Sequence, residues 1–257
     1  NRVEWLTTYF AAVAIGAEVV ALNILATARE LAYQLTHAEV DVLVFEPKYR
    51  DRDFVVILAD AAREHGLDPL PKYIPVDDVP PGAMSFTDLV EYGARIDDDM
   101  LVAAQRAIEP GDTACILYTS GSTALPKGVP LYHSGLIDNM WSIGERQHLT
   151  PDDRLWLAVS LFWSYAGVNA LFTMMTHGAS IVLQHHFEPG EALRLIEQER
   201  CTVFYGTPAL SRPMWEHPDR SSRDLSSLRT GATIGSREQV QTVVDLGVTE
   251  ICNVYGL

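Results

Sequence analysis

The chain has 257 residues, enough for one large domain or two small ones, and carries 34 acidic against 19 basic side chains. That balance supplies no broad basic field, which excludes sequence-independent binding to nucleic acid or to an anionic membrane surface. Any phosphate site must be made locally, from backbone N–H groups and a few chosen cations.

The first apolar stretch runs from Tyr9 to Ala28, interrupted by Glu18 and Asn23 and punctuated by Gly16. A charge at the centre of a membrane span is expensive, so this predicts a buried helix followed by a strand and no span. The chain opens NRVEWL with no initiator Met and no visible signal peptide, so its N-terminus reads as incomplete and its location as cytoplasmic. Strand-like runs follow in order: EVVALN, VDVLVFE, TACILYTS, RLWLAVS, SIVLQ, CTVFYGTP and EICNVYG. Residues 68–82 carry five prolines and read as a surface connection. The acidic run IDDDM reads as a solvated helix start.

Helical spacing separates most of these runs. In EPGEALRLIEQER, Pro189 opens a helix and Leu193 and Ile196 share a face. In SREQVQTVVDLG, Ser236 and Gln239 form a capping box, Val240, Val243 and Val244 share a face, and Gly247 ends the helix. Apolar strands that do not alternate, separated by helices, predict an α/β fold of mostly parallel sheets covered by helices. Two α/β portions are expected, residues 1–108 and 109–257. Ligands of such sheets bind at the carboxyl ends of the strands.

Cys115, Cys201 and Cys252 lie far apart in apolar runs and read as reduced, buried thiols. The adjacent His185 and His186 lack zinc-site spacing and read as a loop after a strand, so no metal ligand set is expected. There is no G-x-S-x-G, which leaves a hydrolase nucleophile elbow unsupported.

The stretch YTSGSTALPKGV, residues 118–129, follows the strand-like TACILYTS. Thr119, Ser120, Ser122 and Thr123 offer hydroxyls, Gly121 and Gly128 allow a sharp turn and close approach, and Lys127 adds charge. Consecutive N–H groups in such a turn make an anion-binding concavity suited to a polyphosphate. It is not a Walker loop: counted from Gly121, Pro126 stands at the second glycine and Gly128 where Ser or Thr belongs. Pro126 and Gly128 favour a turn over a helix start.

The stretch resembles the signature of the adenylate-forming superfamily, which includes acyl-CoA synthetases, luciferases and peptide-synthetase adenylation domains. That loop reads [YF]-T-S-G-[ST]-T-G-x-P-K-G-V, and this chain departs only at Ala124, where the family has glycine. Further resemblances follow in family order: AIGAEVVALN, His133, SLFWSYAGVNAL, TVFYGTPAL ending at Pro208, LRTGATIG and NVYGL. Trp163 stands where the family commonly has histidine.

The resemblance implies ATP-dependent activation of a carboxylic acid to an acyl-adenylate, followed by transfer to a thiol such as coenzyme A, with Mg2+ as ATP's partner. It implies that Thr119, Ser120, Gly121, Ser122, Thr123, Lys127 and Gly128 hold phosphates. Gly231, Ala232 and Thr233 would edge the adenine, and Tyr255, flanked by Asn253 and Gly256, would stack on it. Trp163, Gly167, Tyr205 and Thr207 would line the acid's pocket, with Tyr205 and Thr207 equally readable as the end of a strand. SLFWSYAG has no Asp to pair a substrate ammonium, which favours a fatty or aromatic acid over an amino acid. The family's catalytic lysine, its magnesium-binding Glu and its small C-terminal domain are absent from these residues, so slow or no turnover is expected of them alone. A peptide-synthetase-type adenylation domain and a non-catalytic nucleotide-binding module are the alternatives; a homodimer is the candidate assembly.

Overall fold

The computed structural model describes residues 1–80, 82–119 and 125–255. It divides into two compact units, Val3–His133 and a second made of Asn1–Arg2 with Ser134–Leu257.

The first unit begins with α1 (Val3–Ala14), β1 (Val19–Ala21), α2 (Ala28–His37), β2 (Val42–Phe45), β3 (Lys48–Tyr49) and β4 (Arg52–Asp53). It continues with α3 (Phe54–His65), β5 (Lys72–Pro75), α4 (Phe86–Gly93), α5 (Asp98–Ala107), β6 (Thr113–Thr119) and β7 (Lys127–Tyr132). Helix starts are set by local chemistry. Thr27 and Glu30 form a capping box on α2, Ser85 and Asp88 one on α4, and Asp53 accepts from the Val55 and Val56 N–H groups at α3. Leu31, Leu35, Leu43, Leu58, Ala61 and Leu67 bury the facing sides of α2, α3 and β2.

β6 is the middle strand of a three-stranded sheet, parallel to β1 and antiparallel to β7. That pairing ties 113–119 to 19–21, so the subdivision expected near residue 108 falls inside one unit, between α5 and β6. The proline-rich stretch 68–82 is likewise not wholly a connection: within it β5 pairs in parallel with β2. Pro75 ends β5, and β5 has a partner on one side only, so the missing proline N–H costs no ladder bond.

The second unit carries α6 (His133–Arg146), β8 (Arg154–Leu157), a π-helix (Ser164–Ala170), α7 (Leu171–Thr176), β9 (Ser180–Leu183) and α8 (Pro189–Gln198). β10 (Val203–Gly206), α9 (Pro208–Trp215), a 3-10 turn (Pro218–Ser222), β11 (Thr230–Thr233), α10 (Arg237–Asp245) and β12 (Glu250–Asn253) follow. Its five strands run parallel in the order β12-β11-β10-β8-β9. Trp156 and Phe204 stack on one face, beneath Leu193 and Ile196 of α8, Met214 of α9 and Val243 and Leu246 of α10. The neighbouring Tyr205 points to the opposite face, where Gln147 follows α6. The three helix starts read from sequence are observed: the Ser236–Gln239 capping box, Pro189 in the first turn of α8 behind the Glu188 cap, and α5 opening in the acidic run behind the Asp97 cap.

Chain order and sheet order disagree at one place. From β8 the chain steps to β9 on one side, then returns through α8 to β10 on the other side of β8. The crevice outside the carboxyl ends of β8 and β10 is therefore the topological switch point, where sheets of this kind take ligands.

At the amino ends of the strands lies a buried ion pair. The Asp153 carboxylate, 3% exposed, accepts from Thr150 N (2.8 Å), Thr202 Oγ1 (2.6 Å) and Arg229 Nε (3.1 Å), with Arg229 Nη2 closing a fork. Asp153, Thr202 and Arg229 immediately precede β8, β10 and β11, so one carboxylate fastens three strand starts together.

Candidate functional site

In the first unit, β6 and β7 pair from Thr113↔Tyr132 up to Thr119↔Lys127. The described ends of the stretch YTSGSTALPKGV, Tyr118–Thr119 and Lys127–Val129, are thus paired as antiparallel strands. After the loop the chain returns as a strand from Lys127, where a Walker loop would have a helix. β7 is an edge strand, which accommodates Pro130. Thr119 and Lys127 face each other across the mouth of the loop and are exposed, and Gly128 is half-buried. Ser120, Gly121, Ser122, Thr123 and Ala124 lie outside the described residues.

Tyr118 roots this strand pair. Its hydroxyl lies 2.8 Å from His37 Nδ1 and donates toward Gln34 O at 3.4 Å, both on α2. Its ring meets Tyr33 and His37 edge-on. Burial, with Tyr33 beside it, pushes the Tyr118 phenol up from its ordinary value and keeps it neutral as a hydrogen-bond group.

In the second unit, the adenine-edge candidates, Tyr205 and Thr207 lie on β10, β11 and β12 and at their carboxyl ends, while Trp163 and Gly167 lie on the segment after β8. Gly231, Ala232 and Thr233 are β11, fully interior and paired on both sides with β10 and β12. The Ala232 carbonyl also accepts from the Tyr165 hydroxyl at 2.6 Å, and Thr233 Oγ1 donates to Gly206 O at 2.8 Å. Exposed backbone begins one residue later, at Ile234 and Gly235, which sequence reasoning passed over. Asn253 ends β12 and donates from Nδ2 to Gly235 O at 3.4 Å, tying the two exits together. Tyr255 is 85% exposed. Gly256 lies outside the described residues.

The pocket candidates separate by burial. Trp163 is half-exposed, lies tilted against Phe162 (centroids 4.7 Å apart), and gives its carbonyl to Ala166 N and Gly167 N as the π-helix starts. π-helical turns are uncommon and concentrate at functional sites. Gly167 is buried within that helix. Tyr205 is wholly buried: its hydroxyl accepts from Gln147 Nε2 at 2.7 Å and its ring lies 5.4 Å from Tyr165. Burial pushes the Tyr205 phenol up to about 12 and Tyr165 well above its ordinary value, so both stay neutral. Thr207 is half-buried where β10 exits; it caps α9 through its carbonyl and makes no side-chain capping bond.

His185 and His186 sit in a bend after β9 with rings 3.9 Å apart. Among the described residues no three His, Cys, Asp or Glu side chains converge as a metal site. Cys115 and Cys201 are buried and Cys252 is half-buried, none of them bonded to another. No helix among the described residues is long and apolar enough to cross a membrane.

The model of the AMP-binding enzyme family matches residues 1–257. An acyl-CoA ligase of Beauveria bassiana is 30% identical over 262 residues, covering 100% of this chain and 45% of that protein. The medium-chain acyl-CoA ligase of Danio rerio, named as mitochondrial, is 28% identical over 274 residues, covering 100% and 45%. Among solved structures, ATP-bound MatB from Rhodopseudomonas palustris superimposes with a TM-score of 0.69 at 25% identity, covering 94% of this chain and 45% of that one. The chain spans about half the length of the curated relatives it matches.

Proposed function

The chain belongs to the AMP-binding enzyme family, and from that premise we propose that the protein it forms part of activates a carboxylic acid with ATP to an acyl-adenylate, then passes the acyl group to coenzyme A. The observation that carries this reading is YTSGSTALPKGV at the carboxyl end of β6, with Thr119 and Lys127 exposed and facing each other where β6 and β7 pair. Lys127 and the loop N–H groups hold the β- and γ-phosphates, where charge neutralisation and positioning supply most of the rate in phosphoryl chemistry. Tyr255 stacks on the adenine, with the β11 exit at its edge. Trp163 and Thr207 border the acid where the chain leaves β8 and β10; Tyr205 supports that wall from behind, since it has no exposed surface.

Acyl-CoA ligase names among the relatives, one of them medium-chain, support a fatty acid, and the aromatic cluster at Phe162, Trp163 and Tyr165 suits an aromatic one. The described residues offer no converging carboxylates for Mg2+, so no step here runs through it. A cytoplasmic location belongs to the same proposal, on the three unpaired thiols.

The test is acid-dependent release of pyrophosphate from ATP by the full-length protein across a panel of fatty, aromatic and amino acids. Release with fatty or aromatic acids is expected; no acid-dependent release from any of them overturns the proposal. Lys127→Ala is expected to raise the KM for ATP about ten- to a hundredfold, the loss of a charge-assisted hydrogen bond, with the KM for the acid little changed.

A further inference from the structure

The Asn1 side chain makes three hydrogen bonds into one corner of the second unit. Its Nδ2 donates to Val159 O at 3.0 Å and to Gln184 O at 3.3 Å, and its Oδ1 accepts from Leu161 N at 3.0 Å. Val159 and Leu161 belong to the segment leaving the carboxyl end of β8, and Gln184 is the first residue after β9.

Gln184 is itself fixed. It is buried, its Oε1 accepts from the indole of Trp156 at 3.0 Å, and its Nε2 donates to Glu188 O at 3.0 Å. On the other side of Asn1, Trp163 N donates to Ser160 O at 3.1 Å. A continuous path therefore runs from the core tryptophan through Gln184 and Asn1 to the 159–161 backbone and on to Trp163. A primary amide is suited to this junction because it presents two donors and an acceptor in one rigid plane. Aspartate lacks the donors, and serine has only one.

We infer that Asn1 is a positioning residue for the acid: it clamps the 158–163 segment to the end of β9 and so sets where Trp163 stands beside the switch-point crevice. The clamp rests on the acid-activating reading for its role in substrate binding, though not for its geometry. Asn1 touches no substrate and acts through the backbone it holds.

The experiment uses the full-length protein with Asn1→Ala, which removes all three bonds, and Asn1→Asp, which keeps the acceptor for Leu161 and removes both donations. Amide hydrogen exchange at Leu161 is expected to quicken about tenfold in Asn1→Ala, the loss of one hydrogen bond, and to stay near the parent rate in Asn1→Asp. In both variants the KM for the acid is expected to rise about tenfold while the KM for ATP stays within about twofold. Unchanged Leu161 exchange in Asn1→Ala overturns the clamp, and equal rises in both KM values overturn its role in acid binding. A parent protein with no acid-dependent turnover counts against the acid-activating reading; the exchange measurement decides the clamp without it.

Discussion

Replacing Asp153 with alanine is expected to lower the unfolding free energy by about 3 kcal/mol, the low end of the cost of removing one partner from a buried ion pair. The low end applies because Arg229 keeps 34% of its side-chain surface exposed, so water rehydrates part of the stranded charge. Arg229 also keeps the carbonyls of Gln147 and His148 as acceptors. Burial alone would raise the Asp153 carboxyl above its ordinary value; hydrogen bonds from Arg229, Thr202 and Thr150 outweigh that and hold it below. A depressed pKa means the folded state binds its proton less readily than the unfolded chain does. This contribution is therefore fully present above the unfolded value, about pH 3.9, and is lost as pH falls through the lower folded value. Urea midpoints measured at pH 7 and then stepwise below pH 4 check both parts. Asp153→Asn should be destabilised at pH 7 and should lose less stability than the parent as pH falls through the acid window, since other carboxylates held low, such as Glu197 and Asp224, still titrate there. A shift under about 1 kcal/mol in Asp153→Ala at pH 7 would show that the network is replaced by water at no real cost.

That network left no mark in the sequence. Asp153, Thr202 and Arg229 are separated by 49 and 76 positions from Asp153 onward, and nothing local announces that three strand starts will meet. Asn1 is the same case, with partners 158 and 183 positions away. What the sequence did carry was local. The capping box at Ser236 and Gln239, the proline opening α8 and the unalternating apolar strands each depend on neighbours within a turn or a strand, and each appears in the structure. Proline misled at β5, because it was read as a loop marker at a place where an edge strand tolerates it. The phosphate-loop motif was legible because its residues are contiguous. The wall proposed for the acid was less so: Tyr205 and Phe204 are adjacent aromatic residues, and only the packing of helices decides which face each one serves.

Gly231→Ala is expected to cost about 2–6 kcal/mol, from backbone strain of about 1–3 and overpacking of about 1–3. Gly231 has φ +144°, which side chains of L-residues rarely adopt. A Cβ there would lie 2.0 Å from the carbonyl oxygen of Phe204 and 2.8 Å from its backbone C and N. The obstacle is the β10 backbone itself, so no rotamer change relieves it; β10 and β11 must part. Sequence resemblance gave this glycine a ligand-facing reason, approach to an adenine, and the structure gives it a packing reason that holds with no ligand bound. The two reasons separate experimentally. If packing dominates, Gly231→Ala loses stability in the absence of nucleotide, and ATP affinity falls because the β11 and β12 exits that carry Gly235 and Tyr255 shift. Gly178→Ala is the control for strain alone: φ there is +68°, and a Cβ would meet nothing nearer than Pro151 at 3.8 Å. That control should cost about 1 kcal/mol. Thermal unfolding of the two variants without nucleotide decides the matter, since equal losses would remove the contact with Phe204 from the account and leave only the dihedral.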